Sequence, residues 1–175
     1  MPRDSPKESK GSLGGAEGAH ARVQGQFRTL MAELETKLER KIPLTHRIVP
    51  WLVRHVGWQL TRFQPHAGDG KTSWERRTGH PYRGEVLTVG ETALFRVVEK
   101  RAGKAEMRWE RGVYVGKTDA SDEHMFLTKT GLKKSRATQR KPEAERWDYE
   151  FLDSVRGAPW NPFGLAMATG DATVV

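Results

Sequence analysis

The chain contains no cysteine, which excludes disulfide bonds and every thiolate metal site. Its six histidines are scattered, with no pair three or four residues apart, so zinc is not expected. Long apolar runs are missing too. No segment approaches the roughly 20 apolar residues that cross a bilayer, and the amino terminus carries no hydrophobic signal core. An intracellular protein, nuclear or cytoplasmic, with no membrane partner is the expectation. The two ends lack the means to pack. Residues 1–15 are mostly Pro, Ser, Gly, Lys and Asp with a single leucine, and residues 163–175 are rich in Gly, Ala and Thr without a charge pattern. Neither buries enough apolar surface to offset chain entropy, and both read as disordered tails. No internal repeat or low-complexity tract is visible.

Positive charge, by contrast, is abundant and local. The chain has 30 Lys and Arg against 22 Asp and Glu, a net charge of +8. Residues 71–141 alone hold 17 basic against nine acidic side chains, and the remainder balances. A surplus confined to one module makes a field that attracts polyanions, of which nucleic acid is the commonest. Within it, residues 132–141 carry Lys133, Lys134, Arg136, Arg140 and Lys141 with no acid. Phosphate contacts need long cationic side chains on one surface and no special sequence context. The binding candidates are therefore Lys100, Arg101 and Lys104 in a loop, Arg108 and Arg111 beside Trp109, Lys129 at a hairpin tip, and Lys133, Lys134, Arg136 and Arg140 on or after the last strand. The plain alternative is a solvated basic face. Trp109, Trp147 and Trp160 can stack on bases, but Trp buries so much area that packing is the first expectation; Trp109, close to two arginines, stays a binding candidate.

Periodicity divides the chain into two grammars. In residues 17–40, Val23, Phe27, Leu30, Leu34 and Leu38 form one helical stripe, Glu33 and Lys37 pair at i, i+4, and Pro43 marks the end. A second helix, which Thr45 can cap, carries Ile48, Trp51, Leu52, Val56, Leu60 and Phe63 on its main stripe. Val49, Val53 and Trp58 form a second apolar line, so this helix requires cover on both sides. If that cover is missing, these three residues are exposed and drive self-association. His55, on or near the main stripe, reads as a histidine hydrogen-bonded to a neighbour rather than a catalytic base. Residues 64–70 are turn-rich, and Thr72 can cap a short helix over 73–76 that Gly79 ends. Strands are expected at 92–98, 108–115, 124–128 and 132–138, spaced as in a small antiparallel barrel.

This order of parts resembles a copia-type retrotransposon integrase, part of a Pol polyprotein. Residues 5–30 are similar without a gap to the stretch in which S-N-G-x-x-E carries the last acid of the D, D, E set, with Ser12, Gly14 and Glu17 in register and Leu13 in place of Asn. Trp51, His55, Arg62 and Phe63 match a W-x-x-x-H-x-x-x-x-x-N-R-F run in which Thr61 stands for Asn. Asp69-Gly70-Lys71-Thr72 and Trp74-Glu75-Arg76 match D-G-K-T and Y-E-R. Gly90-Glu91, Arg111-Gly112-Val113, Gly116-Lys117, Asp122-Glu123-His124 and the closing Val155-Arg156-Gly157-Ala158-Pro159-Trp160-Asn161-Pro162 continue the likeness.

The resemblance implies an α+β chain: two long helices left from an RNase H-like core, then a small antiparallel Src-homology-3-like β-barrel that contacts DNA. Its organisation is then a tail over 1–15, core helices over 16–80, a basic barrel over 81–141, an extension over 142–162 and a tail over 163–175. In the intact family, three carboxylates hold two magnesium ions that activate the attacking oxygen and stabilise the leaving one. Only sixteen residues precede Glu17, and Asp4 and Glu8 have no strand to hold them. Glu17 is thus the relic of a metal ligand, to be metallated only if the missing aspartates are supplied. The expected function is nucleic-acid binding, to DNA or else RNA, associated with DNA integration but without strand transfer by this chain alone. No cofactor is expected for the isolated chain, and its partners are DNA and either the upstream part of the core or a second copy. The rival reading is a small-barrel binding module for RNA, chromatin or a protein ligand, since small barrels host many functions.

Overall fold

The computed structural model describes residues 14–97 and 109–165, which form an α+β fold with a five-stranded antiparallel sheet. Helix α1 (Gly14–Leu38) precedes α2 (Val49–Phe63) and the short α3 (Ser73–Thr78). Strands β1 (Thr92–Arg96), β2 (Trp109–Lys117), β3 (His124–Thr128), β4 (Gly131–Ser135) and β5 (Thr138–Arg140) follow, then α4 (Tyr149–Ser154). The sheet order is β4-β3-β2-β1-β5, so its two edges are consecutive in the chain. Two residues cannot cross a flat sheet of this width. The sheet curls until Ser135, at the end of β4, donates its hydroxyl to the Arg96 carbonyl at the end of β1, 2.9 Å away.

The strand period of two sorts side chains onto two faces. On one, Val113, Val115, Met125 and Leu127 pack against Leu30 and Leu34 of α1 and Trp51, Leu52 and Val56 of α2, with Leu152 and Val155 closing the core. On the other, Ala93, Phe95, Tyr114 and Phe126 form a smaller cluster with Leu87, in which the Phe95 and Phe126 rings stack 4.7 Å apart. A bulge in β2 joins the two, because Tyr114 pairs with Phe126 but Gly116 pairs with Met125. Gly116 has φ +118°, and a Cβ there would stand 2.9 Å from His55 Nδ1. Only glycine lets α2 approach the bulge so closely.

Several local expectations change. Helix α1 starts before residue 17, and Glu39, at φ 51°, turns the chain out of it. Thr45 does not cap α2: residues 43–48 form turns, Ile48 occupies the cap position without a side-chain bond, and Pro50 lies in the first turn, where its missing N–H costs nothing. Thr72 does cap α3, through a capping box in which Thr72 Oγ1 accepts from the Glu75 N–H and Glu75 accepts from the Thr72 N–H. The fourth expected strand ends at Ser135, and the unanticipated β5 pairs with β1. Helix α4, also unanticipated, is capped by Asp148, which accepts from the Phe151 N–H.

The second apolar line of α2 is mostly covered, contrary to expectation. Trp58 is buried against His55, Phe63 and Tyr82, and Val49 packs on the main core; Val53 alone of the three is exposed, at 47%. The residues that cover Trp58 come from α2 itself and from the segment before β1. No helix among the described residues is long and apolar enough to cross a membrane.

Candidate nucleic-acid interface

The β3–β4 hairpin and the corner after it carry a cluster of the basic surplus, while Lys71, Arg77, Arg83 and Arg96 are exposed elsewhere on the molecule. Lys129 sits in its two-residue tip, between Thr128 and Gly131, and is exposed. Along β4, the half-buried Lys133 pairs with Phe126 and the exposed Lys134 with Met125, so the two lysines lie on opposite faces of an edge strand. Arg136 is exposed at the corner between β4 and β5, its Nε 3.9 Å from Glu123 Oε1. Lys129, Lys133 and Lys134 have no acidic partner among the described residues. The four cations thus form a rim along one edge and corner of the sheet.

Two other candidates, Arg140 and Arg111, are partly exposed but paired with acids of the chain itself. Arg140 grips Glu91, with Nε and an Nη donating to its two oxygens at 2.9 and 2.5 Å. Glu91 is fully buried, so Arg140 neutralises a carboxylate that would otherwise stand uncompensated. Arg111 pairs with Asp148, the cap of α4, and lies 3.9 Å over the Phe151 ring. The Phe151 N–H and the Arg111 guanidinium hold the Asp148 carboxyl below its usual range. Lys100, Arg101, Lys104 and Arg108 lie outside the described residues. Trp109, next to that segment, is 39% exposed at the start of β2, whereas Trp147 is half-buried.

Of the motif residues, Trp51, His55, Arg62 and Thr72 are buried, whereas Phe63, Asp69, Lys71 and Arg76 are exposed. Trp51 donates its indole N–H to the Gly157 carbonyl at 3.0 Å, and Asp69 takes two bonds from Arg76, at 3.1 and 2.9 Å. Arg62 is 3% exposed, with its guanidinium 4.3 Å from the Trp58 ring centre, 4.7 Å from Trp74 and 5.6 Å from Tyr82. This aromatic enclosure is filled by the protein's own cation. Arg54 and Arg62 reach Asp119, and Lys117 and Tyr82 reach Asp122, so the acids of the β2–β3 turn are bound to their own chain.

His55 is buried between Trp58 and Tyr114, and its Nδ1 finds no partner, contrary to the hydrogen bond expected of it. Burial, reinforced by Arg54, lowers its pKa to about 4. His124, stacked on Phe126, is lowered to about 4 by burial and by Lys117. Glu17 lies exposed in the first turn of α1, where the helix dipole favours a carboxylate. Among the described residues no three His, Asp or Glu are grouped to hold a metal ion. Glu17 alone does not make the three-carboxylate magnesium site of an integrase.

What sequence reasoning missed is the closing turn. Trp160 is 70% exposed, at the tip of a turn in which Ala158 and Asn161 exchange backbone hydrogen bonds of 2.9 and 3.0 Å. Its Pro-Trp-Asn composition is a turn signal, but it does not tell which way the indole faces. Compared with protein-family models, curated proteins and solved structures, the chain matches none of them.

Proposed function

We propose that this protein binds the phosphate backbone of nucleic acid, DNA first, through the edge formed by Lys129, Lys133, Lys134 and Arg136. The observation that carries the reading is the division of the basic residues. Arg111 and Arg140 are held by Asp148 and Glu91, while the hairpin lysines project without acidic partners among the described residues. Unpaired cations on an edge strand are also a defence against strand-to-strand association. Their clustering at one corner with Arg136, however, makes a contact patch for a polyanion.

The copia-integrase likeness supplies the biological setting of this proposal: a DNA-binding module descended from a retroelement integrase, its curled sheet corresponding to the small barrel of that family. Strand transfer would then require two further carboxylates from another polypeptide or another segment. A reader of methylated lysine in chromatin is less well supported, because Arg62 occupies the aromatic enclosure such a ligand would need.

The test is duplex-DNA binding measured across a salt series. Log affinity falls by about 0.9 for each contacted phosphate per tenfold rise in salt. The Lys133→Glu, Lys134→Glu, Arg136→Glu variant is expected to bind at least tenfold more weakly, with a slope shallower by about one per lost contact. Unchanged binding and slope would remove the hairpin from the interface.

A further inference from the structure

The closing turn is built rigidly and then used to hold an indole in water. Gly157 has φ +109°, and a Cβ there would lie 2.2 Å from the Pro162 carbonyl oxygen; its own carbonyl accepts from Trp51. Arg156 donates its N–H to Thr128 O, and Leu132 donates its N–H to Pro162 O, both at 2.9 Å. Gly131, at φ +113°, packs so closely that a Cβ would meet Phe163 Cα at 2.8 Å. The turn is therefore stitched to the hairpin that carries Lys129 and Lys133. Pro159 fixes the backbone just before Trp160. Nothing in the packing accounts for an indole 70% exposed on so stiff a support. A preorganised aromatic ring is, however, what base stacking requires.

Trp160 borders an open cleft of about 560 Å³ shared with Arg47, Arg156, Asn161, His46 and Asp153. That volume lies within the range of small-ligand sites and suits one nucleotide. Arg156 is exposed, and Arg47 gives one of its five N–H donors to Val155 O and keeps the others. His46 is buried, and burial lowers its pKa despite Asp153, so at neutral pH the lining carries two guanidinium groups against one carboxylate.

We propose that this cleft binds an unpaired nucleotide, its base stacked on Trp160 and its phosphate held by Arg156 and Arg47. The inference deepens the nucleic-acid reading and rests on it: the polynucleotide gripped by the hairpin is engaged at a single-stranded end or flap rather than as uninterrupted duplex. The shared chemistry is base plus phosphate, in DNA or RNA.

The full chain is titrated with labelled blunt duplex DNA, the same duplex with a DNA or an RNA overhang, and matching single strands. The overhang duplex is expected to bind about tenfold tighter than the blunt one, the gain of one stacked base. Trp160→Ala abolishes that preference at unchanged melting temperature and unchanged blunt-duplex affinity, Trp160→Phe retains part of it, and Arg156→Glu reduces it. Equal overhang effects with DNA and RNA support recognition of base and phosphate alone; loss of the preference with RNA restricts the site to DNA and supports it there. A wild-type chain indifferent to the overhang, or a preference that survives Trp160→Ala, overturns the inference while the hairpin reading stands. Conversely, blunt-duplex binding unaffected by charge reversal at the hairpin overturns the hairpin reading alone.

Discussion

The segment from Trp51 to Arg76 and the edge from Lys129 to Arg136 are both rich in cations, yet they spend them in opposite ways. In the first, Arg62 is enclosed by Trp58, Trp74 and Tyr82, and Arg76 is clamped by Asp69. In the second, a half-buried Lys133 and an exposed Lys134 alternate across an edge strand, and neither has an acidic partner among the described residues. The first is the more distinctive text to read and the second the more ordinary. The difference teaches that a recognisable motif here marks adhesive between elements, whereas the residues free to touch a partner occupy the plainer segment.

The comparison breaks most readily at buried charge. Arg140→Ala strands the fully buried Glu91 and is expected to lower unfolding free energy by about 3 kcal/mol, measured by urea titration. A loss no larger than that of a surface substitution would place Arg140 with the exposed cations instead. The next effect is pH dependence. His55 and His124 titrate near 4 when folded and near 6.5 when unfolded. Between those values the unfolded chain binds protons that the folded one excludes, so stability falls as pH drops through the window and is flat above it. Each group contributes up to about 1.4 kcal/mol per pH unit. Melting temperatures from pH 7.5 to 5 should show the decline, and His124→Phe should make it shallower; a flat profile would show these rings to be solvated. Smaller still, Thr72→Ala removes the capping box of α3 and should cost about 1 kcal/mol by the same urea measurement. Smallest per site, each charge reversal at Lys133, Lys134 and Arg136 made singly should shift stability by no more than about 0.5 kcal/mol. That near-silence, beside a large loss of DNA binding, would separate the two regions cleanly.

Much of this was legible from local rules. The stripe of α1, the capping box at Thr72 and three of the strands follow from spacing that needs no tertiary knowledge, and so does the alternation of Lys133 and Lys134. The partners of Arg111 and Arg140 were not legible, because Asp148 and Glu91 lie 37 and 49 residues away and only the folded register brings them together. The cover of Trp58 was hidden for the same reason: Tyr82 reaches it from beyond α3. Strand β5 has three residues and no pattern of its own, and pairing with β1 makes it a strand. Helix α4 did leave a trace, an Asp three residues before Phe151 with Leu152 and Val155 beyond.

Because Leu152 and Val155 are completely buried in the cluster formed with α2 and the sheet, the principal core among the described residues takes its final apolar pieces from a segment synthesised after all five strands. Translation must pass α4 before the earlier elements can close, and a chain halted short of Leu152 presents an open wound of Val113, Leu127 and Trp51 to chaperones and proteases.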